Sequence, residues 1–177
     1  MNGGIPWRQP EDRKIFKDLT RDGILIIGRK TLEEHTNLVH INHARHCIIL
    51  SRSTEDLGLA GIPCKTELHH VRSFLEALDL ARELDNQDDE QPDTSRGLKC
   101  WVAGGERVYT EALRHPSAKE LHLSIVDLDI DLGDAKDRAV FPAKYRWDNV
   151  FQQVSQTRFP PGDGSPGFSY TVYHRFK

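Results

Sequence analysis

Asp12 is the first residue whose position suggests chemistry. It follows Pro10 and Glu11 at the head of a stretch in which Ile15, Phe16 and Leu19 recur at helical spacing. A proline at the first helical position with acids beside it predicts a helix start, and on that helix Asp12 shares a face with the apolar residues. A carboxylate on the apolar side of an amphipathic helix is costly without a partner, so Asp12 is a candidate for proton handling. The competing reading is that Asp12 only complements the positive end of the helix dipole.

A second group of residues lies at the ends of apolar runs. Gly28-Arg29-Lys30-Thr31 closes one run, Ser51-Arg52 a second, and Gly104-Gly105 a third. Glycines that open a helix leave backbone N–H groups free for a phosphate and let it approach closely. Cations at neighbouring strand ends can converge on one polyanion, because α/β folds bind ligands at the carboxyl ends of their strands. Together the three turns point to a phosphorylated dinucleotide; the competing reading is three solvated loops. His40, His43 and His46 lie three apart, but no carboxylate is spaced to complete a set of metal ligands, so they are read as surface histidines and no metal is expected.

The elements that must position these residues follow from periodicity. Ile24-Leu25-Ile26-Ile27-Gly28, Cys47-Ile48-Ile49-Leu50-Ser51 and Cys100-Trp101-Val102-Ala103 are short apolar runs ended by turn residues, which fits strands buried on both faces of a parallel sheet. Between them, Val71, Phe74, Leu75 and Leu78 predict an amphipathic helix. A further helix over 106–113 turns Val108, Ala112 and Leu113 inward. Alternation of strand and helix is the pattern of an α/β domain. Toward the carboxyl end, Leu121, Leu123 and Ile125 alternate with His122 and Ser124, and residues 168–176 read as another strand. The Pro/Gly-rich turn Phe159–Gly164 between them predicts a closing antiparallel hairpin. The acidic, polar segment 85–96 reads as a solvated surface loop.

Composition narrows the function classes. The chain has 177 residues, 37% apolar and 29% charged, with a formal net charge of -3. That is enough for one domain with a sizeable core and provides no basic surface for nucleic acid or an anionic membrane. No apolar run approaches the roughly 20 residues of a membrane span, and Met1–Pro10 has no secretory pattern. Cys47, Cys64 and Cys100 are odd in number and widely spaced, as expected of reduced thiols in a cytoplasmic protein.

Taken in order, these motifs resemble the dihydrofolate reductase family. Ile5-Pro6-Trp7-Arg8-Gln9-Pro10-Glu11-Asp12 is similar to the family's loop and catalytic helix start. Ile26 to Thr31 is similar to its cofactor-phosphate motif, and Cys47 to Arg52 to the next strand. Val102 to Tyr109 is similar to its glycine-pair motif, and Glu120 to Ser124 and Val140-Phe141-Pro142 to the later strand and its exit. The resemblance implies a mixed, mostly parallel sheet flanked by helices with a carboxyl-terminal antiparallel hairpin, in a single reductase domain over 1–177. It implies NADPH as cofactor, dihydrofolate as substrate, and no nucleic-acid or membrane partner.

It also implies roles. Asp12 would bind the pterin and assist its protonation, Ser124 would bond that acid, and Trp7 would order a water beside it. Ile5, Phe16 and Arg45 would join Asp12 and Ser124 around the substrate, Arg45 taking the glutamate carboxylate. Gly28, Arg29, Lys30 and Thr31 would hold cofactor phosphates. Ser51 and Arg52 would bind the extra ribose phosphate of NADPH. Ala103, Gly104, Gly105, Glu106, Arg107, Val108 and Tyr109 would complete the cofactor site, with a cis bond joining the glycine pair.

The sequence departs from the family pattern in two respects. The family opens with a strand that would precede Met1, so upstream residues are expected; a fused thymidylate synthase would lie beyond Lys177. The substrate wall is more polar, with Arg13, His35 and Asn42 near usually apolar positions and Ala103 in place of a larger aliphatic residue. The same resemblance therefore admits a relative that binds NADPH or a partner protein without turnover, and a reductase of another pterin.

Overall fold

The computed structural model describes residues 8–33, 41–53, 64–88, 99–130, 141–142 and 145–176. The chain divides into two compact units, Lys17–Glu111 and a second formed by Met1–Phe16 with Ala112–Lys177.

The first unit is built on a parallel sheet. Its strands are β1 (Ile24–Gly28), β2 (His46–Leu50), β3 (Glu67–Val71) and β4 (Cys100–Val102), in the order β3-β2-β1-β4. β1 pairs with β2 on one side and β4 on the other. Ile24, Leu25 and Ile26 are therefore fully buried, which is why β1 reads as an unbroken apolar run rather than an alternating one. Ile48 and Ile49 of β2 are equally buried, and each such side chain contributes about 1.5–3 kcal/mol of apolar transfer.

Two helices in this unit have instructive boundaries. α2 is the single short turn Arg29–Glu33 directly after β1. α3 spans Phe74–Asp88, whereas the spacing of Val71, Phe74, Leu75 and Leu78 had predicted an earlier start and a different inward face. Val71 is instead the last residue of β3, a strand the periodicity did not reveal, and Leu75 is 63% exposed. The buried stripe runs through Phe74, Ala77, Ala81 and Leu84, in which two alanines let the helix approach closely but contribute little to a hydropathy pattern. α3 also runs to Asp88, beyond the point at 85 where a loop was expected; 89–96 lie outside the described residues.

The second unit carries the antiparallel strands β5 (Glu120–Val126), β6 (Phe151–Phe159) and β7 (Phe168–Arg175), in the order β5-β7-β6. The expected turn at 159–164 closes a hairpin of β6 and β7, and β6 is a strand the sequence did not reveal; the strand read around Leu121–Ile125 is β5, antiparallel to the other edge of β7. Phe159 stacks on Phe168 with ring centroids 4.4 Å apart at the hairpin's closing pair. The tip turns through Asp163 and Gly164, both at positive φ. α1 (Pro10–Thr20) and α4 (Glu106–Arg114) start where the sequence predicted. The Arg175 guanidinium donates to the carbonyls of Leu113 and His115, satisfying groups that the end of α4 leaves without helical partners.

Candidate active site

In the second unit the first turn of α1 brings Asp12 to β5. Gln9, 5% exposed, precedes the helix and donates from Nε2 to the Pro166 carbonyl just before β7. The Gln9 carbonyl accepts from the Arg13 N–H and closes the first helical turn. Gln9 therefore fixes the entry of α1 against the hairpin; as a polar residue in a loop, it gave no sequence signal for that role. Asp12 is half-buried, and its Oδ1 accepts a 2.5 Å hydrogen bond from Ser124 Oγ. This is a short, charge-assisted bond between residues 112 positions apart.

The strand pairing sets the surroundings of that bond. Ser124 stands opposite Tyr170 in the β5–β7 register, so the two share a face, as does His122 two residues before Ser124. The Tyr170 hydroxyl lies 2.5 Å from His122 Nδ1. Burial pushes the Tyr170 phenol up, and the nearby Glu120 and Asp12 charges push it further. Tyr170 and His122 were not singled out from sequence; the alternation His122-x-Ser124 on one strand was the available signal. Arg13 is exposed and Phe16 half-buried. Ile5, Trp7, His35, His40 and Val140 lie outside the described residues.

The first unit gathers the glycine turns. Gly104 and Gly105 are joined by a cis peptide bond, as the resemblance implied. The Gly28 N–H donates to the Gly104 carbonyl at 2.7 Å, which ties the end of β1 to the turn after β4. Gly104 has φ +123, a backbone region essentially reserved for glycine. A Cβ on Gly105 would lie 3.2 Å from Thr31 Oγ1, and one on Gly28 would lie 3.3 Å from Val108 Cγ2. Tyr109 Oη would be 3.6 Å from a Cβ on Gly104. Gly28, Thr31, Gly104, Gly105, Val108 and Tyr109 thus converge, with Ala103 bonded to the Ile26 carbonyl beside them. This surface stays low at Gly28, Gly104 and Gly105, which have no side chains.

The polar residues around this turn are disposed differently from one another. Arg29 pairs with Glu33 at 2.7 Å and Arg107 with Glu111 at 3.8 Å along their own helices, while Lys30 and Glu106 are exposed. Ser51 is buried after β2; its N–H donates to the Val71 carbonyl and its Oγ accepts from the Ser53 N–H. Arg52 beside it is exposed. Arg45 is also exposed and lines an open basin with Lys17, Arg21, Asp22, Asn42 and Lys65, so a cationic surface surrounds the residue expected to meet a carboxylate. Asn42 Oδ1 accepts from Cys64 Sγ at 2.7 Å. His43 does not join His46; its ring lies 2.5 Å from Thr20 Oγ1.

Comparison with known proteins agrees with this architecture. The family model for dihydrofolate reductase matches residues 1–175. A bifunctional dihydrofolate reductase-thymidylate synthase 2 of Arabidopsis thaliana is 27% identical over 99% of this chain, which spans 29% of that protein's length. The dihydrofolate reductase of Mycobacterium tuberculosis (strain ATCC 25618 / H37Rv) is 29% identical over 75% of this chain and 68% of its own. Among solved structures, dihydrofolate reductase from Enterococcus faecalis complexed with NADP(H) superposes with a TM-score of 0.70 over 99% of this chain and 88% of that one, at 22% identity. No described helix is long and apolar enough to cross a membrane. With a match from the first residue to the last strand, and with the fold and the cis glycine pair in place, this chain belongs to the dihydrofolate reductase family.

Proposed function

We propose that the chain reduces 7,8-dihydrofolate to tetrahydrofolate with NADPH, and that Asp12, oriented by Ser124, handles the proton. The observation that carries the reading is the 2.5 Å bond from Ser124 Oγ to Asp12 Oδ1. It engages one carboxylate oxygen and leaves Oδ2 for the amino-pyrimidine edge of a pterin.

The glycine turn fits a dinucleotide. Its surface is kept low by Gly28, Gly104 and Gly105, where a Cβ would press on Val108 or reach Thr31 and Tyr109. Thr31, Arg29 and Lys30 would hold the phosphates, the backbone of Gly104 and Gly105 would lie against the cofactor, and the exposed Arg52 beside buried Ser51 would meet the extra ribose phosphate. Glu106, Arg107, Val108 and Tyr109 would border the same site. When bound, NADPH supplies the hydride. Asp12 orients the substrate by accepting its N–H groups and favours proton arrival at the ring imine, as a positioned carboxylate does in general acid–base catalysis. Phe16 and Ile5 would flank the substrate, Trp7 would order a water near Asp12, and Arg45 would pair with the substrate's carboxylate. The free thiols Cys47, Cys64 and Cys100 support a reducing, cytoplasmic setting.

The test is NADPH oxidation with and without dihydrofolate, for the chain and an Asp12→Asn variant, together with NADPH binding by fluorescence. The expected outcome is dihydrofolate-dependent oxidation that falls by roughly 10²–10⁴-fold in the variant while NADPH binding persists. NADPH binding without such oxidation in the unaltered chain overturns the reductase reading.

A further inference from the structure

In the sequence, His46 and its neighbours His40 and His43 have no carboxylate at ligand spacing. The sheet gives His46 different neighbours. β2 and β3 run parallel with His46 opposite Glu67 and Ile48 opposite His69. Glu67 and His69 are two apart on β3, so both project from one face, and the register sets His46 beside them. With one ligand atom from each residue, the three atoms lie within 4.8 Å of one another, and the two carboxylate oxygens of Glu67 each face one ring. His46 Nδ1 lies 3.2 Å from His69 Nε2 and 3.4 Å from Glu67 Oε2, and His69 Nε2 lies 3.8 Å from Glu67 Oε1. A tetrahedral zinc ion with ordinary Zn–N and Zn–O bonds separates its ligand atoms by about 3.3–3.4 Å. The two ring nitrogens, and His46 with one Glu67 oxygen, already stand near that spacing, and a small turn of the exposed carboxylate would bring the same oxygen to His69.

Burial and chemistry agree with that spacing. The imidazole side chains are 10% and 18% exposed, while the Glu67 side chain is 66% exposed, so an ion would be gripped by two sheltered rings and closed from the solvent side by a carboxylate. Two nitrogens and one oxygen suit zinc and its transition-metal neighbours, not magnesium or calcium, which take oxygen ligands. Three protein ligands leave a fourth position for water. We propose that His46, Glu67 and His69 form a site for a divalent ion of the zinc class, which fastens β3 to β2 at the end of the strands opposite Ser51. This site is independent of the reductase reading.

The experiment is titration of the untagged, metal-stripped chain with zinc chloride by calorimetry, and with cobalt chloride by visible absorption, beside Glu67→Gln, His69→Ala and Cys64→Ser variants. Glu67 is exposed enough that Glu67→Gln leaves folding intact, which keeps the test open if His69→Ala folds poorly. One zinc per chain is expected, with a thermal upshift that magnesium does not reproduce and the strong visible bands of four-coordinate cobalt. Affinity is expected to fall on the order of 10–100-fold in Glu67→Gln and His69→Ala and to hold in Cys64→Ser. Absence of stoichiometric zinc uptake overturns the proposal, as does uptake unchanged in Glu67→Gln, which would place the ion elsewhere.

Discussion

At the residue scale, the proposed reaction gives Asp12 and Ser124 different work, which mutation separates. Ser124 holds the carboxylate by one hydrogen bond, and a hydrogen bond to a charged group contributes about 1.5–3 kcal/mol. Ser124→Ala is expected to lower kcat/KM by roughly ten- to hundred-fold with the fold retained. Ser124→Thr keeps the hydroxyl and is expected to stay near the unaltered rate. Steady-state kinetics on the pair decide the matter: equal losses in both variants would mean that packing at this position matters and the hydroxyl does not. The sequence made Asp12 conspicuous as an acid among apolar neighbours on a helix, and Ser124 legible through resemblance. It could not show Gln9 or Tyr170, whose parts depend on a carbonyl at Pro166 and on the β5–β7 register. Pairings between residues so far apart in sequence leave no periodicity.

At the element scale, glycine placement supports two further predictions. Gly23 precedes β1, and its carbonyl accepts from the Arg45 N–H. A Cβ there would lie 2.6 Å from the Lys99 carbonyl oxygen, a backbone atom already bonded to the Ile24 N–H, so the chain must shift and break strand pairing at the centre of the sheet. Gly23→Ala is expected to cost about 1–3 kcal/mol, lowering Tm by roughly 2–4 °C per kcal/mol at this chain length; a thermal melt equal to that of the unaltered chain would contradict it. Gly105→Ala meets only the Thr31 hydroxyl at 3.2 Å. Its main effect is expected in NADPH binding, weakened about tenfold or more with a much smaller loss of Tm, and fluorescence titration beside the melt separates the two. Elements with continuous apolar runs, β1 and β2, were plain from sequence. β3 was not, because Glu67, His69 and His70 gave it the composition of a loop, and α3 was misaligned because alanines line its buried stripe.

At the scale of the molecule, the same burial that made the parallel sheet legible also couples stability to pH. Cys47 sits at the centre of β2 with no exposed surface, and burial, with a smaller contribution from Cys64, pushes its thiol from an ordinary 9.0 up to about 12. The sign follows from proton counting. In the unfolded chain Cys47 releases its proton as pH rises past 9.0, whereas the folded chain holds it to about 12. Unfolding in that window therefore releases a proton, so stability is undiminished by this group below the window and falls as pH rises through it, by up to about 1.4 kcal/mol per pH unit. Cys47→Ala removes the term while leaving every other titrating group in place, although it lowers stability at neutral pH through the space it opens. Urea midpoints measured from pH 8 to 11 on both proteins are expected to converge as pH rises, because the unaltered chain alone carries the Cys47 loss. Curves that stay parallel would show that Cys47 ionises alike in both states, and would require water to reach a side chain that the sheet encloses.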